Sequence, residues 1–132
     1  MDYVIAEATE ADAELLASII RDSFADVAVR LGLTPESVPM HPSNCTPEWI
    51  LAAFAKGVRY YLLRTPQGPA GCVALEQSSA DVCYLERLAV LPAFRRKGLG
   101  EALVNHVVEK ARELGASSVD LGMVFAQAEL RE

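Results

Sequence analysis

Arg95, Arg96 and Lys97 stand side by side, followed by Gly98, Leu99 and Gly100 and by the pattern of a helix running from about Gly98 to Leu114. Residue types in this order suit the capture of an anion. The first amides of a helix lack intrahelical acceptors and lie at the positive end of its dipole, so a well-placed negative charge there gains roughly 0.3–1 kcal/mol. Gly98 and Gly100 keep side chains clear of a closely approaching ligand. An ordinary tight turn would account for the glycines and would leave three adjacent cations unexplained. No Gly-Lys-Ser/Thr closes the loop and no GxGxxG is present, so phosphate loops built on those patterns fit less well.

The elements that must position this loop follow from the flanking pattern. Leu88, Ala89 and Val90 end an apolar run read as a strand over residues 82–90, and Pro92 stops its hydrogen-bond ladder. In the helix, Leu99, Leu103, Val107, Ala111 and Leu114 form the buried stripe, with Glu101, Asn105, Glu109 and Arg112 on the wet side. His106 falls among these polar neighbours and reads as a solvated surface histidine. Gly115 then leads to a strand over residues 118–125, and strand, helix and strand imply a right-handed parallel crossover. Residues 126–132 begin a further helix without a visible cap.

Upstream, residues 3–8 alternate as a short strand, and Thr9 is the N-cap of a helix from near Glu10 to about Arg30. Its buried face is Ala13, Leu16, Ile20, Phe24 and Val27. Residues 32–47 carry four prolines and no period, the mark of a long ordered loop and a candidate substrate wall. Glu36, His41 and Asn44 in this loop either meet a cationic amine or are simply solvated. Thr46 and Pro47 start a short helix through Trp49, Ile50, Ala53 and Phe54. Residues 58–63 and 70–76 read as a hairpin, and residues 82–90 add the third strand of a meander.

A length of 132 residues suits one domain over the whole chain, 1–132. The net charge of -6 argues against general binding to nucleic acid or anionic membrane, which makes residues 95–97 a local exception suited to a small polyanion. Cys45, Cys72 and Cys83 lack CxxC spacing and read as buried reduced thiols of a cytoplasmic protein. With His41 and His106 the only histidines, no metal site is expected. No run approaches about 18 apolar residues, and an acid at Asp2 stands where a signal peptide would carry basic residues, so a soluble, unexported chain is expected.

Arg95-x-x-Gly98-x-Gly100, placed after a strand ending Leu88-Ala89-Val90 and opening a helix, resembles motif A of the GNAT acetyltransferase superfamily. The order of elements resembles that fold from residue 1 to about residue 125. The resemblance implies an α/β (α+β) chain with a mixed, mostly antiparallel sheet flanked by helices, in the order β-α-α-β-β-β-α-β. It implies acetyl-CoA as acyl donor. The residues implied for coenzyme A are Leu88, Ala89 and Val90 along the strand edge and Arg95, Arg96, Lys97, Gly98, Leu99, Gly100 and Glu101 in the loop. Amides from Arg96 to Glu101 would hold the pyrophosphate, and the pantetheine would follow Leu88 and Val90.

Direct transfer from a thioester to an amine needs a base and a polarised thioester oxygen, and the resemblance implies the backbone amide of Leu88 for the oxygen. Glu86 is the candidate base. Strand alternation puts Tyr84, Glu86 and Leu88 on one face near the expected thioester, where partial burial would raise the carboxyl pKa. The alternative for Glu86 is a structural salt bridge with Arg59 or Arg64. Cys72 and Cys83 lack neighbours that would activate them as acyl carriers.

The family continues past the last strand with a helix bearing a tyrosine often used as general acid and then two more strands, whereas this sequence ends at Glu132. A truncated product, a degenerate member, and a homodimer whose second copy completes the sheet edge are the three readings of that end. The implied function is an acetyl-CoA-dependent N-acetyltransferase acting on a small-molecule amine or a peptide amino terminus. The alternatives are a catalytically weak CoA-binding regulatory module and a phosphate-binding interaction domain.

Overall fold

The structure, a computed structural model, describes residues 2–121 apart from residues 33 and 35. Its elements are β1 (Val4–Glu7), α1 (Ala13–Leu31), α2 (Pro47–Ala55), β2 (Arg59–Thr65), β3 (Gly68–Gln77), β4 (Val82–Val90), α3 (Leu99–Glu113) and β5 (Ser118–Leu121). The expected order is therefore met, with each strand beside its neighbour in the sequence β1-β2-β3-β4-β5. The first three pairings are antiparallel and β4 with β5 is parallel, as a helical crossover requires. The expected strand residues 122–125 and the helix over 126–132 lie outside the described residues. Among the described residues no helix is long and apolar enough to cross a membrane.

Local signals account for most boundaries. α1 starts at Ala13 rather than near Glu10, because Glu10–Asp12 form a tighter 3-10 turn in which the Asp12 carboxylate accepts the Thr9 N–H at 3.0 Å. Gly32, in the left-handed conformation, closes α1. The Thr46 hydroxyl accepts the Trp49 N–H at the start of α2, with Pro47 at the first helical position.

Alternation along the strands divides the core between two faces of the sheet. Tyr60, Leu62, Cys72, Ala74 and Ala89 pack with Leu16, Ile20 and Phe24 of α1 and Ile50 of α2. Tyr61, Leu63, Val73, Leu75 and Leu85 pack with Leu99, Leu103 and Val107 of α3. A sheet residue thus meets either α1 and α2 or α3 according to its parity.

That parity breaks at the Leu63/Arg64 register shift of the β2–β3 pair, where Ala70 packs on the α3 side, and again within β4. Ala74 pairs with Glu86 and Cys72 with Ala89, so one residue of β3 faces two of β4. Arg87 takes up the extra residue with φ +52, a left-handed conformation that costs a non-glycine residue on the order of 1 kcal/mol. Before the bulge, Cys83 and Leu85 face α3; after it, Leu88 and Val90 do. Gly71, paired with Val90, lets the strands close up here, since a Cβ would lie 2.6 Å from the Ala89 carbonyl oxygen and 3.2 Å from Leu103.

Candidate active site

The bulge overturns the expectation that Tyr84, Glu86 and Leu88 share a face. Tyr84 and Glu86 pair with Glu76 and Ala74, on the side of α1 and α2, whereas the Leu88 side chain is buried against α3. Simple alternation would have driven Arg87 into the α3 core. The bulge instead brings Arg87 to the same cleft as Glu86, with its guanidinium over the Trp49 ring, 5.4 Å from the centroid.

This cleft, about 410 Å³, lies between α2 and the paired strands β3 and β4. Trp49, Glu76, Glu86 and Arg87 line it as half-buried side chains, and Glu48 and Lys56 stand exposed at its margin. Burial is the main force raising the Glu86 pKa; the charge of Glu76 adds to it and Arg87 opposes it. Among the described residues no basic side chain lies within 4.0 Å of Glu86. Arg64, one of its expected partners, pairs with Asp12 at 3.9 Å instead.

Beyond Val90 the chain turns through Pro92–Phe94, another 3-10 turn, into the basic loop. Arg95 is turned inward. Its guanidinium donates to the carbonyl oxygens of Val90 (3.2 Å) and Ser23 and pairs with Asp26 at 3.0 Å, which fastens the loop to α1. Burial pushes the Asp26 carboxyl up, but the hydrogen bond and charge of Arg95 outweigh it and hold the pKa below its ordinary value. Arg96 and Lys97 are exposed.

Arg96 at φ +65 and Gly98 at φ +78 are both left-handed, and Gly98 is the N-cap of α3. The first α-helical bond runs from the Ala102 N–H to the Gly98 carbonyl oxygen (3.1 Å), so the amides preceding Ala102 have no intrahelical acceptor. With two exposed cations beside them, these donors fit a pyrophosphate group. Leu99 is buried and anchors the helix, and Glu101 lies exposed in the first turn.

Leu88, Ala89 and Val90 are all buried, Ala89 toward α1 and the other two toward α3, so a ligand here would meet their backbone rather than their side chains. β5 accompanies β4 from Val82 to Leu85; among the described residues, positions 86–90 pair only with β3. From Glu86 to Val90 is at most roughly 13 Å at strand rise, so cleft and basic loop lie at two ends of one short backbone edge.

Other sequence expectations fare differently. His41 and Asn44 do not form a polar wall. His41 is buried, accepts the Ser43 N–H through Nδ1 (3.2 Å) and packs edge-on against Phe24, while the Asn44 amide donates to the Val38 carbonyl oxygen (3.0 Å). His106 is half-buried rather than solvated, with its ring 4.8 Å from that of Tyr61; burial and then Lys110 lower its pKa. All three cysteines are buried free thiols, and burial pushes Cys45 up to about 11 and raises Cys72 and Cys83 as well. Nothing in the local sequence around Arg87 or Gly71 marks either as part of the site. The signal for either lies in the β3–β4 offset, which no local pattern carries.

Comparison with known proteins agrees with the geometry. The family model described as Acetyltransferase (GNAT) family matches residues 19–128. An uncharacterized N-acetyltransferase of Escherichia coli strain K12, YjgM, is 42% identical over 48 residues, a match spanning 36% of this chain and 29% of that protein. A GCN5-related N-acetyltransferase from Ralstonia eutropha JMP134 has a similar fold, with TM-score 0.69, 20% identity, and 96% of this chain and 88% of that one covered. The PaiA N-acetyltransferase from Thermoplasma acidophilum, solved in complex with coenzyme A, gives TM-score 0.73 at 16% identity, covering 87% of this chain and 75% of that one.

Proposed function

The chain belongs to the acetyltransferase (GNAT) family, and from that premise we propose that it moves an acetyl group from acetyl-CoA directly to the amine of a small molecule. Acetyl-CoA supplies the activated acyl group. The amides at the start of α3, with Arg96 and Lys97 beside them, bind its pyrophosphate, and the backbone of residues 88–90 guides the arm toward the cleft. The Leu88 amide polarises the thioester oxygen. Glu86 takes the proton from the attacking amine, and its raised pKa brings it closer to that task than an ordinary carboxylate. As the C–N bond forms the thioester C–S bond breaks, and coenzyme A leaves as a thiolate that solvent protonates. The observation that carries the reading is Glu86 itself: half-buried in a cleft, without a cationic partner among the described residues, and on the strand that feeds the basic loop.

The test has two steps. Acetyl-CoA at 100 times its dissociation constant should stabilise the fold by about 2.7 kcal/mol, read as a thermal shift that equal inorganic phosphate does not reproduce. Release of free thiol on adding members of an amine panel then reports transfer. A thermal shift with no thiol release from any amine would favour the alternative, a CoA-binding regulatory module; no shift at all would remove the donor.

A further inference from the structure

We propose that the cleft between α2 and β4 takes an acceptor carrying both an ammonium and a single carboxylate close together, as in an α-amino acid, with Arg87 holding the carboxylate and Glu86 the amine. The proposal rests on the transferase reading above and specifies its acceptor.

Two half-buried, oppositely charged side chains face one cleft without being joined to each other. No ion pair within 4.0 Å joins Glu86 and Arg87, and among the described residues neither finds another charged partner at that range; the Arg87 guanidinium lies over Trp49. Two such groups left unpaired within a protein are stabilised by a ligand that supplies both missing charges. The backbone supports the same reading: Arg87 occupies a left-handed position, and local strain of this kind collects at functional sites. The guanidinium carbon lies over the Trp49 ring, and the paired N–H groups of a planar guanidinium match the two oxygens of a carboxylate.

The charge of the lining selects between anions. Glu48, Glu76 and Glu86 oppose Lys56 and Arg87, a net charge of -1 when all are ionised. A dianionic phosphate would face that excess, whereas a zwitterion brings no net charge and places its positive end among the carboxylates. Because the bulge puts consecutive residues 86 and 87 on one cleft, the amine and the carboxylate of the acceptor must be near neighbours.

The experiment compares matched ligands, an α-amino acid, its carboxamide and the corresponding amine lacking the carboxyl carbon, by calorimetric binding and by thiol release with acetyl-CoA. The expected result is at least tenfold preference for the amino acid over both analogues. Arg87→Asn, whose side chain tolerates the left-handed backbone, should reduce that preference at least tenfold, and Arg87→Lys should restore part of it. Equal or better use of the carboxylate-free amines, with a preference indifferent to Arg87, overturns this proposal and leaves the transferase reading standing. Arg87-dependent binding of the amino acid without any thermal shift from acetyl-CoA supports the cleft assignment and overturns the transferase reading. Absence of amino-acid binding to the wild-type protein, with donor present or absent, overturns the proposal.

Discussion

At the scale of single residues, Glu86 and Arg95 show how burial divides charged groups between chemistry and support. Glu86 must be ionised to accept a proton, and its pKa is raised by burial and by Glu76, so kcat/KM should fall as pH drops through a value above the ordinary carboxylate range. Glu86→Gln should lose that acid limb and reduce kcat by about 10²–10⁴-fold, measured as thiol release across a pH series. The same shift has a stability consequence of the opposite sense. A carboxyl with a raised folded pKa adds stability that is present below the unfolded value and lost as pH rises through the folded one, so the glutamine variant should be no less stable than wild type at neutral pH. Arg95 is a different case. Removing its bonds to Val90, Ser23 and Asp26 by Arg95→Ala should lower stability by on the order of 2 kcal/mol and weaken donor binding with it. Lys97→Ala, at an exposed position, should weaken donor binding most at low salt and leave the urea midpoint near wild type.

At the scale of elements, the close approach of β3 and β4 is what aims the site. Gly71→Ala would set a methyl 2.6 Å from the Ala89 carbonyl oxygen, an obstacle of backbone rather than of a flexible side chain. It should cost about 1–3 kcal/mol in denaturant unfolding and, by parting the strands beside the bulge, reduce transfer beyond what the lost stability explains. The strands, helices and buried stripes were legible because they follow from short-range periodicity and caps: Thr46 with Pro47, Gly32 and Leu99-Leu103-Val107 each announce themselves within a turn or two. The basic loop was legible for the same reason. The offset between Cys72–Ala74 and Glu86–Ala89 was not, because it belongs to a pairing between strands, and with it went the faces of Leu88 and Arg87. Arg95 looked like a ligand group for a related reason: the acceptors that turn it inward, Ser23 and Asp26, lie 72 and 69 residues earlier in the chain. His106 reads as solvated because its neighbours along α3 are polar, while the Tyr61 ring packed against it comes from β2.

At the scale of the whole molecule, the two histidines give the fold an acid-side weakness. Burial lowers the pKa of His41 and His106 from the ordinary 6.5. Below that value the unfolded chain takes up more protons than the folded one, so stability should fall as pH drops from 6.5 through the folded values. Urea midpoints at pH 5.5 and 7.5 should differ in that direction, and His106→Gln should narrow the difference. A last consequence belongs to the Arg95 strut. Because one guanidinium holds both the Val90 carbonyl and the carbonyl of Ser23, opening of either α1 or the basic loop costs bonds that the two share, which couples their local unfolding. Donor bound at the loop should therefore slow amide hydrogen exchange in the second half of α1, making that helix a reporter of an event at a loop about seventy residues further along the chain.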